Sequence, residues 1–206
     1  MWEFVDKIVF INLEKRKDRL EKITEVCKRF PTEKVVRFNA IETPGFGILG
    51  CGKSHAAVLK MAIENGWNNV LILEDDVVWN NFEEGYKKLE EIIKNNYDVI
   101  MLGGVLGDGG DYNTETKRVI NVQTAGSYIV HSKFYHTLLQ NYIDGGSKLE
   151  ATGKHWIYAN DQYWKCLQTS YNFYMVVPNL MYQAPCYSNC GDGSIPVDYT
   201  NLFMLA

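Results

Sequence analysis

The sequence predicts an α/β fold, a Rossmann-like and mostly parallel central sheet flanked by helices, trailing into an irregular C-terminal region. Three observations predict it. Short runs that are apolar on both faces, such as "KIVFINL" and "VLILE", read as buried central strands. Stretches with apolar residues at helical spacing fall between them, so strand and helix signals alternate over about the first hundred residues. The chain has 206 residues, 46% hydrophobic and 22% charged, which suits one globular domain with a sizeable core.

"KIVFINL" is the first strand. "EKRKDRLEKITEVCKRF" follows, with Leu20, Ile23, Val26, Cys27 and Phe30 at helical spacing and Pro31 ending the helix. "EKVVRFNAI" is the second strand. The Gly-rich "ETPGFGILGCGKS" reads as a loop. "SHAAVLKMAIENG" is a helix capped by Ser54 and stopped by Gly66. "VLILE" is the third strand, "FEEGYKKLEEIIKNN" an amphipathic helix, and "YDVIMLGG" the fourth strand. Beyond Gly104 the regularity fades. "VLGDGGDYNTETK" reads as a loop, "RVINVQTAGSYIVHS" as two extended pieces broken at Ala125-Gly126, and "KFYHTLLQNYI" as a helix. "DGGSKLEATGKHWIYAND" reads as another long loop. "NDQYWKCLQ" starts a helix with Asn160 or Asp161 at its cap, and "NFYMVVPNLMYQAPCYSNCGDGSIP" gives two short strands, then a loop.

Net charge is -4 and the pI about 5.6, which argues against nucleic acid, whose binding needs a basic footprint. No apolar run reaches the length of a transmembrane segment, and "MWEFVDK" carries acids where a signal peptide needs a basic start. Five cysteines, Cys27, Cys51, Cys166, Cys186 and Cys190, are an odd number without a C-x-x-C pair. They read as thiols of a reducing, cytoplasmic compartment. The four histidines read as no zinc set, without Cys or His partners at zinc spacing. The end, "DYTNLFMLA", stops on an apolar run; it either docks on the core or marks a cut from a longer protein.

In open parallel sheets, ligands bind at the carboxyl ends of the strands. Three such ends here carry polar groups: Asn12, then Asn39 with Glu42, then Glu74-Asp75-Asp76. They are expected to converge on one crevice. The third end is the most informative. Three adjacent carboxylates after a buried strand repel one another, so a positive partner is expected. In an extended segment Glu74 and Asp76 point the same way, and two carboxylates on one side can hold Mg²⁺ or Mn²⁺. The bland alternative is an acidic strand end that caps the next helix. Arg16 and Arg19 share a helix face just after the first strand, available to phosphate or simply solvated. Gly45, Gly47, Gly50 and Gly52 permit close backbone approach to a ligand, but their spacing is neither a P-loop nor a dinucleotide fingerprint.

Four segments, in order, carry a resemblance: "NLEKRKDR", "GCGKSH", "NGW" and "EDD". They resemble the N-L-x-x-R-x-x-R, G-C-x-x-S-H, N-G-W and E-D-D pattern of glycosyltransferase family 25. These are lipopolysaccharide-type sugar transferases, with collagen galactosyltransferases as relatives. "TAGSYIVHSKFYHTLL" is similar to the family's A-G-S-x-A-Y segment. The likeness covers roughly residues 6–140; "YQAPCYSN" echoes the family's closing pattern only in part. Length and abrupt end also resemble the first domain of large algal-virus glycosyltransferases, which implies the host cytoplasm.

The resemblance implies a GT-A fold, a nucleotide-diphosphosugar, a divalent metal (Mn²⁺ or Mg²⁺) and inversion at the sugar carbon. It implies a single domain over residues 1–206, with 1–104 the nucleotide-sugar half and 105–206 the acceptor and catalytic half. Glu74 and Asp76 are then the metal residues, with Asp76 a direct ligand. Asn12, Leu13, Ala40 and Glu42 are expected at the base and ribose, and Arg16 and Lys53 at the nucleotide or diphosphate. Asp75 acts on ribose, water or metal, and Gly126 and Ser127 form a wall near the donor sugar. The implied carrier is UDP; UDP-glucose, UDP-galactose and UDP-rhamnose remain open as donors, with a glycan hydroxyl as acceptor. An inverting transferase needs a carboxylate base. Asp161 resembles the x-E-D element of inverting relatives, with Asn160 before it, and fits a helix cap equally well. Asp192 is the next candidate, while Asp108 and Asp111 sit in a Gly-rich loop. Many fold relatives add a late metal-binding histidine, and none follows His155 here.

Two rival functions stand beside this one. A sugar-nucleotide nucleotidyltransferase wants a Gly-rich basic loop after strand one, and "NLEKRKDR" has no glycine. A non-catalytic carbohydrate-binding domain would use Trp67, Trp79, Trp156 and Trp164 as stacking platforms, although core packing is the expectation for Trp67 and Trp79.

Overall fold

The computed structural model describes residues 1–185. The strands are β1 (Lys7–Asn12), β2 (Val35–Asn39), β3 (Asn69–Glu74), β4 (Val77–Trp79), β5 (Val99–Tyr112), β6 (Val119–His131), β7 (Phe173–Met175) and β8 (Met181–Gln183). The helices are α1 (Lys17–Cys27), α2 (Gly47–Glu64), α3 (Phe82–Ile92) and α4 (Tyr135–Thr152), then the single turns α5 (His155–Tyr158), α6 (Asn160–Tyr163) and α7 (Lys165–Gln168). Six strands form one sheet in the order β2-β1-β3-β6-β5-β7. Its pairs are parallel except the two that β6 makes, with β3 and with β5. The mostly parallel α/β sheet is therefore the one expected, with β6 inserted backwards between β3 and β5. β4 and β8 pair as a separate antiparallel ribbon.

Strand alternation builds two apolar layers. Ile8, Phe10, Leu71 and Leu73 face the layer that α1 and α3 complete with Ile23, Val26, Tyr86 and Leu89. Val9, Ile11, Val70 and Ile72 face the other layer, completed from α2 and α4 by Val58, Leu59, Leu138 and Tyr142. Each fully buried aliphatic side chain contributes about 1.5–3 kcal/mol, so both faces must be covered. Trp2, which no periodicity marks, is fully buried among Phe30, Trp79 and Tyr86. No helix among the described residues is long and apolar enough to cross a membrane.

Four local expectations are corrected. Helix α2 starts at Gly47, seven residues before the expected cap. Ser54 is buried inside it, accepting from Ile41 N at 2.8 Å and donating to Gly50 O at 2.7 Å. Gly50 serves close packing, because a Cβ there would lie 2.5 Å from Ile41 O. The expected loop after Gly104 is instead the distal arm of a long β5–β6 hairpin, and its register shifts absorb the glycines. β6 is one strand, not two pieces, although Thr124 (φ 68°) marks an irregularity beside the expected break. Finally, α4 continues through Gly145, where a Cβ would meet the Tyr163 ring at 2.8 Å, and ends at left-handed Gly153.

Candidate active site

The carboxyl ends of β1, β2 and β3 open on one cavity of about 1020 Å³. Leu13, Ala40 and Glu42 line its β1–β2 side, Glu74, Asp75 and Asp76 its centre, and Thr124, Ala125 and Asp161 its β6 side. The sheet order β2-β1-β3-β6 sets this sequence of groups across the cavity.

The strand alternation continues into the acids and separates them. Asp75 turns to the α1 side. Arg19 Nη1 donates to its Oδ1 at 2.7 Å, and Asn12 Nδ2 to its Oδ2 at 2.6 Å. Arg19 also lies 3.2 Å from Asp76 Oδ2. The positive partner expected from the sequence is thus in part a guanidinium of the protein itself. Glu74 turns to the α2 side. Its Oε1 stands 3.1 Å from His55 Nε2 and accepts from Cys51 Sγ at 3.6 Å. The other ring nitrogen, His55 Nδ1, lies 2.8 Å from Tyr128 Oη, and Tyr142 Oη donates to that hydroxyl at 3.1 Å. Gln183 of β8 joins the two remaining edges, with Nε2 at 2.9 Å from Glu74 Oε2 and 3.4 Å from Asp76 Oδ1.

Charge is unevenly shared in this cluster. Burial works against the Glu74 carboxylate, but the His55 contact, the Cys51 thiol and Arg19 hold it below the usual range. Asp76 goes the other way. Burial, then the charge of Glu74, outweigh Arg19 and raise it to about 7.

Asp161 lies in α6 but does not cap it. The residue before α6 is Ala159, without a side-chain cap bond, and Asp161 Oδ2 instead accepts from Thr124 N of β6 at 3.1 Å. Burial raises its pKa, the Thr124 N–H opposes that, and the charge of Glu74 adds to it. Its neighbour Asn160 is buried in the cavity wall with Nδ2 lacking a hydrogen-bond partner among the described residues.

The other expected site residues divide. Arg16 lines the cavity, with its guanidinium on Asp18 at 2.8–2.9 Å. Asn12 lies behind the lining as the support of Asp75. Lys53 is not in the lining. Because α2 begins early, Lys53 lies within the helix and pairs with Glu150 of α4 at 3.2 Å. Gly126 and Ser127 are not in the lining, which Thr124 and Ala125 of the same strand join; a Cβ on Gly126 would come within 2.9 Å of Gln183 Cγ, so the glycine lets Gln183 reach the acids. Asp192, Cys186 and Cys190 lie outside the described residues. Trp156 lines the cavity and is 63% exposed, whereas Trp164 is fully buried.

Sequence reasoning missed Arg19 as partner of the acids, the Tyr142–Tyr128–His55 chain, and Gln183. The statement that no histidine has a cysteine partner at ligand spacing is also corrected. Cys51 and His55 stand one turn apart on α2, their donor atoms within 4.8 Å of each other and of Glu74. The loop assigned to residues 42–53 hid that spacing.

Residues 45–141 match the family model described as "Glycosyltransferase family 25 (LPS biosynthesis protein)". The match is to glycosyltransferase family 25. It spans the α2 start, the acid cluster and the β5–β6 hairpin, though not the "NLEKRKDR" segment that the sequence resemblance also included, and it supports a glycosyltransferase. Among solved structures, a glycosyltransferase involved in the glycosylation of the major capsid of PBCV-1 is similar at TM-score 0.54 and 11% identity, over 82% of this chain and 79% of that one. The glycosyltransferase GlyE of Streptococcus pneumoniae TIGR4 is similar at TM-score 0.51 and 9% identity, over 84% of this chain and 45% of that one. At such identities the likeness is one of fold, and that fold is the GT-A type. A comparison with curated proteins finds no match.

Proposed function

We propose that this chain is a metal-dependent, inverting glycosyltransferase that moves a hexose or deoxyhexose from a UDP-sugar to a glycan hydroxyl. The observation that carries the reading is the acidic end of β3, opening on a cavity that also holds Asp161. Residues 1–104 form the nucleotide-sugar half and 105–206 the acceptor half of one domain, and the thiols favour a cytoplasmic setting.

A divalent ion fits the residues present. Asp76 Oδ1 and Glu74 Oε2 both accept from the one Gln183 amide, which gathers two oxygen donors around it. The raised Asp76 pKa marks a place where added positive charge is favoured. Arg19 offsets one of three carboxylate charges, which leaves room for Mn²⁺ or Mg²⁺ on Asp76 and Glu74. When bound, the ion neutralises the departing nucleotide diphosphate.

The protein's own groups do the rest. Leu13, Ala40 and Glu42 bound the side for base and ribose, and Arg16 faces the diphosphate. Asp75, held by Arg19 and Asn12, fixes α1 against the acid cluster. Asp161 takes the proton of the attacking hydroxyl; its raised pKa suits a group that must accept one. Asp192 is the second candidate for that role. Trp156 offers an exposed ring at the cavity rim for an acceptor sugar.

A thermal-shift screen of nucleotides and UDP-sugars, each with Mn²⁺ or EDTA, tests the reading. UDP or a UDP-sugar should raise the melting temperature more with Mn²⁺ than with EDTA. Absence of any nucleotide-dependent shift in Mn²⁺ would overturn it.

A further inference from the structure

We propose that Cys51, His55 and Glu74 form a three-ligand Zn²⁺ site on the α2 side of the acid cluster, sharing the Glu74 carboxylate with the oxygen-donor pair of Asp76 and Glu74 Oε2. The inference goes beyond the proposed transfer reaction and does not depend on it.

Geometry carries it. Cys51 and His55 project from successive turns of α2 towards the last residue of β3, and the three donor atoms lie within 4.8 Å of one another. His55 Nε2 to Glu74 Oε1 is 3.1 Å, and Cys51 Sγ to the same oxygen is 3.6 Å. A tetrahedral zinc with bonds of about 2.0 Å to N and O and about 2.3 Å to S separates N from O by about 3.3 Å and S from O by about 3.5 Å. The protein therefore already spaces two of the three donor pairs, N–O and S–O, close to the edges of that tetrahedron, and holds the third pair within 4.8 Å. Both the thiol and the Nε2 edge of the ring converge on Glu74 Oε1, so one ion can sit among the three.

The chemistry selects the ion. Thiolate, imidazole and a single carboxylate suit zinc, whereas Mg²⁺ and Mn²⁺ favour all-oxygen sets. All three residues also line the cavity, which leaves the fourth position open to solvent. A ligating histidine needs a partner on its other nitrogen, and His55 Nδ1 has one in Tyr128 Oη at 2.8 Å, itself bonded to Tyr142 Oη. Binding balances as follows. With the imidazole hydrogen on Nε2, that proton moves to Nδ1, which then donates to Tyr128 Oη; the Tyr128 hydroxyl hydrogen turns from Nδ1 to Tyr142 Oη, and the Nε2 lone pair is freed for the metal. The Cys51 thiol releases one proton to water. The thiolate and the carboxylate then cancel the two charges of Zn²⁺. Loading this site takes up the Glu74 charge and so weakens cation binding at Asp76.

Co²⁺ serves as the visible probe. EDTA-treated, desalted protein titrated with Co²⁺ should develop a thiolate-to-cobalt charge-transfer band and the intense visible bands of a four-coordinate ion, both bleached by Zn²⁺. Cys51→Ser should abolish the charge-transfer band, while Cys27→Ser and Cys166→Ser keep it. Tyr128→Phe, which retains the ring, should weaken Zn²⁺ binding by about 10–100-fold. Circular dichroism checks the fold of each variant, and Glu74→Gln replaces Cys51→Ser if that variant misfolds, with loss of the four-coordinate spectrum expected. No charge-transfer band in the wild type, or an undiminished band in folded Cys51→Ser, overturns the proposal.

Discussion

Asp76→Asn should stabilise the ion-free protein at neutral pH, although it removes a residue assigned to the active site. Asp76 stands at about 7 in the folded protein, against 3.8 for an ordinary aspartate. The folded state therefore holds this proton more tightly than the unfolded chain does. That contribution to stability is fully present below pH 3.8 and is lost as the pH rises through about 7. At about 1.4 kcal/mol per pH unit over roughly three units, the loss is on the order of 4 kcal/mol. Asparagine keeps an oxygen for Gln183 and carries no charge, so the variant escapes the loss. Urea unfolding at pH 4 and pH 8 in EDTA measures it. With a slope near 2 kcal/mol/M, the variant's midpoint should rise against wild type by roughly 2 M between the two pH values. Mn²⁺ should then stabilise wild type alone, by mass action on the folded state. A variant that gains nothing on wild type between pH 4 and pH 8 would refute the reasoning.

The other predictions concern neighbouring groups. Asp161→Asn should lower sugar transfer by about 10²–10⁴-fold while UDP binding, followed by calorimetry, stays at the wild-type level; wild-type transfer would move the base to Asp192. Arg19→Met should cost about 3–5 kcal/mol in urea unfolding at pH 7, because it leaves the buried Asp75 carboxylate with Asn12; a change under 1 kcal/mol would mean that Asp75 is not stabilised by this pair. In native protein, alkylation mapped by mass spectrometry should reach the exposed Cys166 well before Cys27, whose thiol is buried and raised to about 12. Equal rates would contradict that burial.

The sheet was legible because its strands are apolar on both faces, and such runs have few other homes. β3 shows this best. Its four buried residues alternate between the two layers, and the same alternation throws Glu74 and Asp75 to opposite sides. The acid cluster was therefore visible as a site, but its partners were not. Arg19, Gln183 and Tyr128 come from three other elements, 56 to 109 residues away in sequence from the acids or His55 they meet. Glycine misled the local reading most. At Gly50 and Gly145 it permits close packing against Ile41 and Tyr163, yet in sequence it looks like a loop. The error at Gly50 also broke α2 and concealed the one-turn spacing of Cys51 and His55.

The central claim is that the acid cluster uses a divalent ion to activate a UDP-sugar. UDP release from UDP-glucose, UDP-galactose and UDP-rhamnose tests it most directly, measured with Mn²⁺ and with EDTA, for wild type and for Asp76→Asn. The account predicts that wild type releases UDP from at least one donor in Mn²⁺, and that both EDTA and Asp76→Asn remove that release. Release that is equal in EDTA, or retained in full by Asp76→Asn, would contradict it.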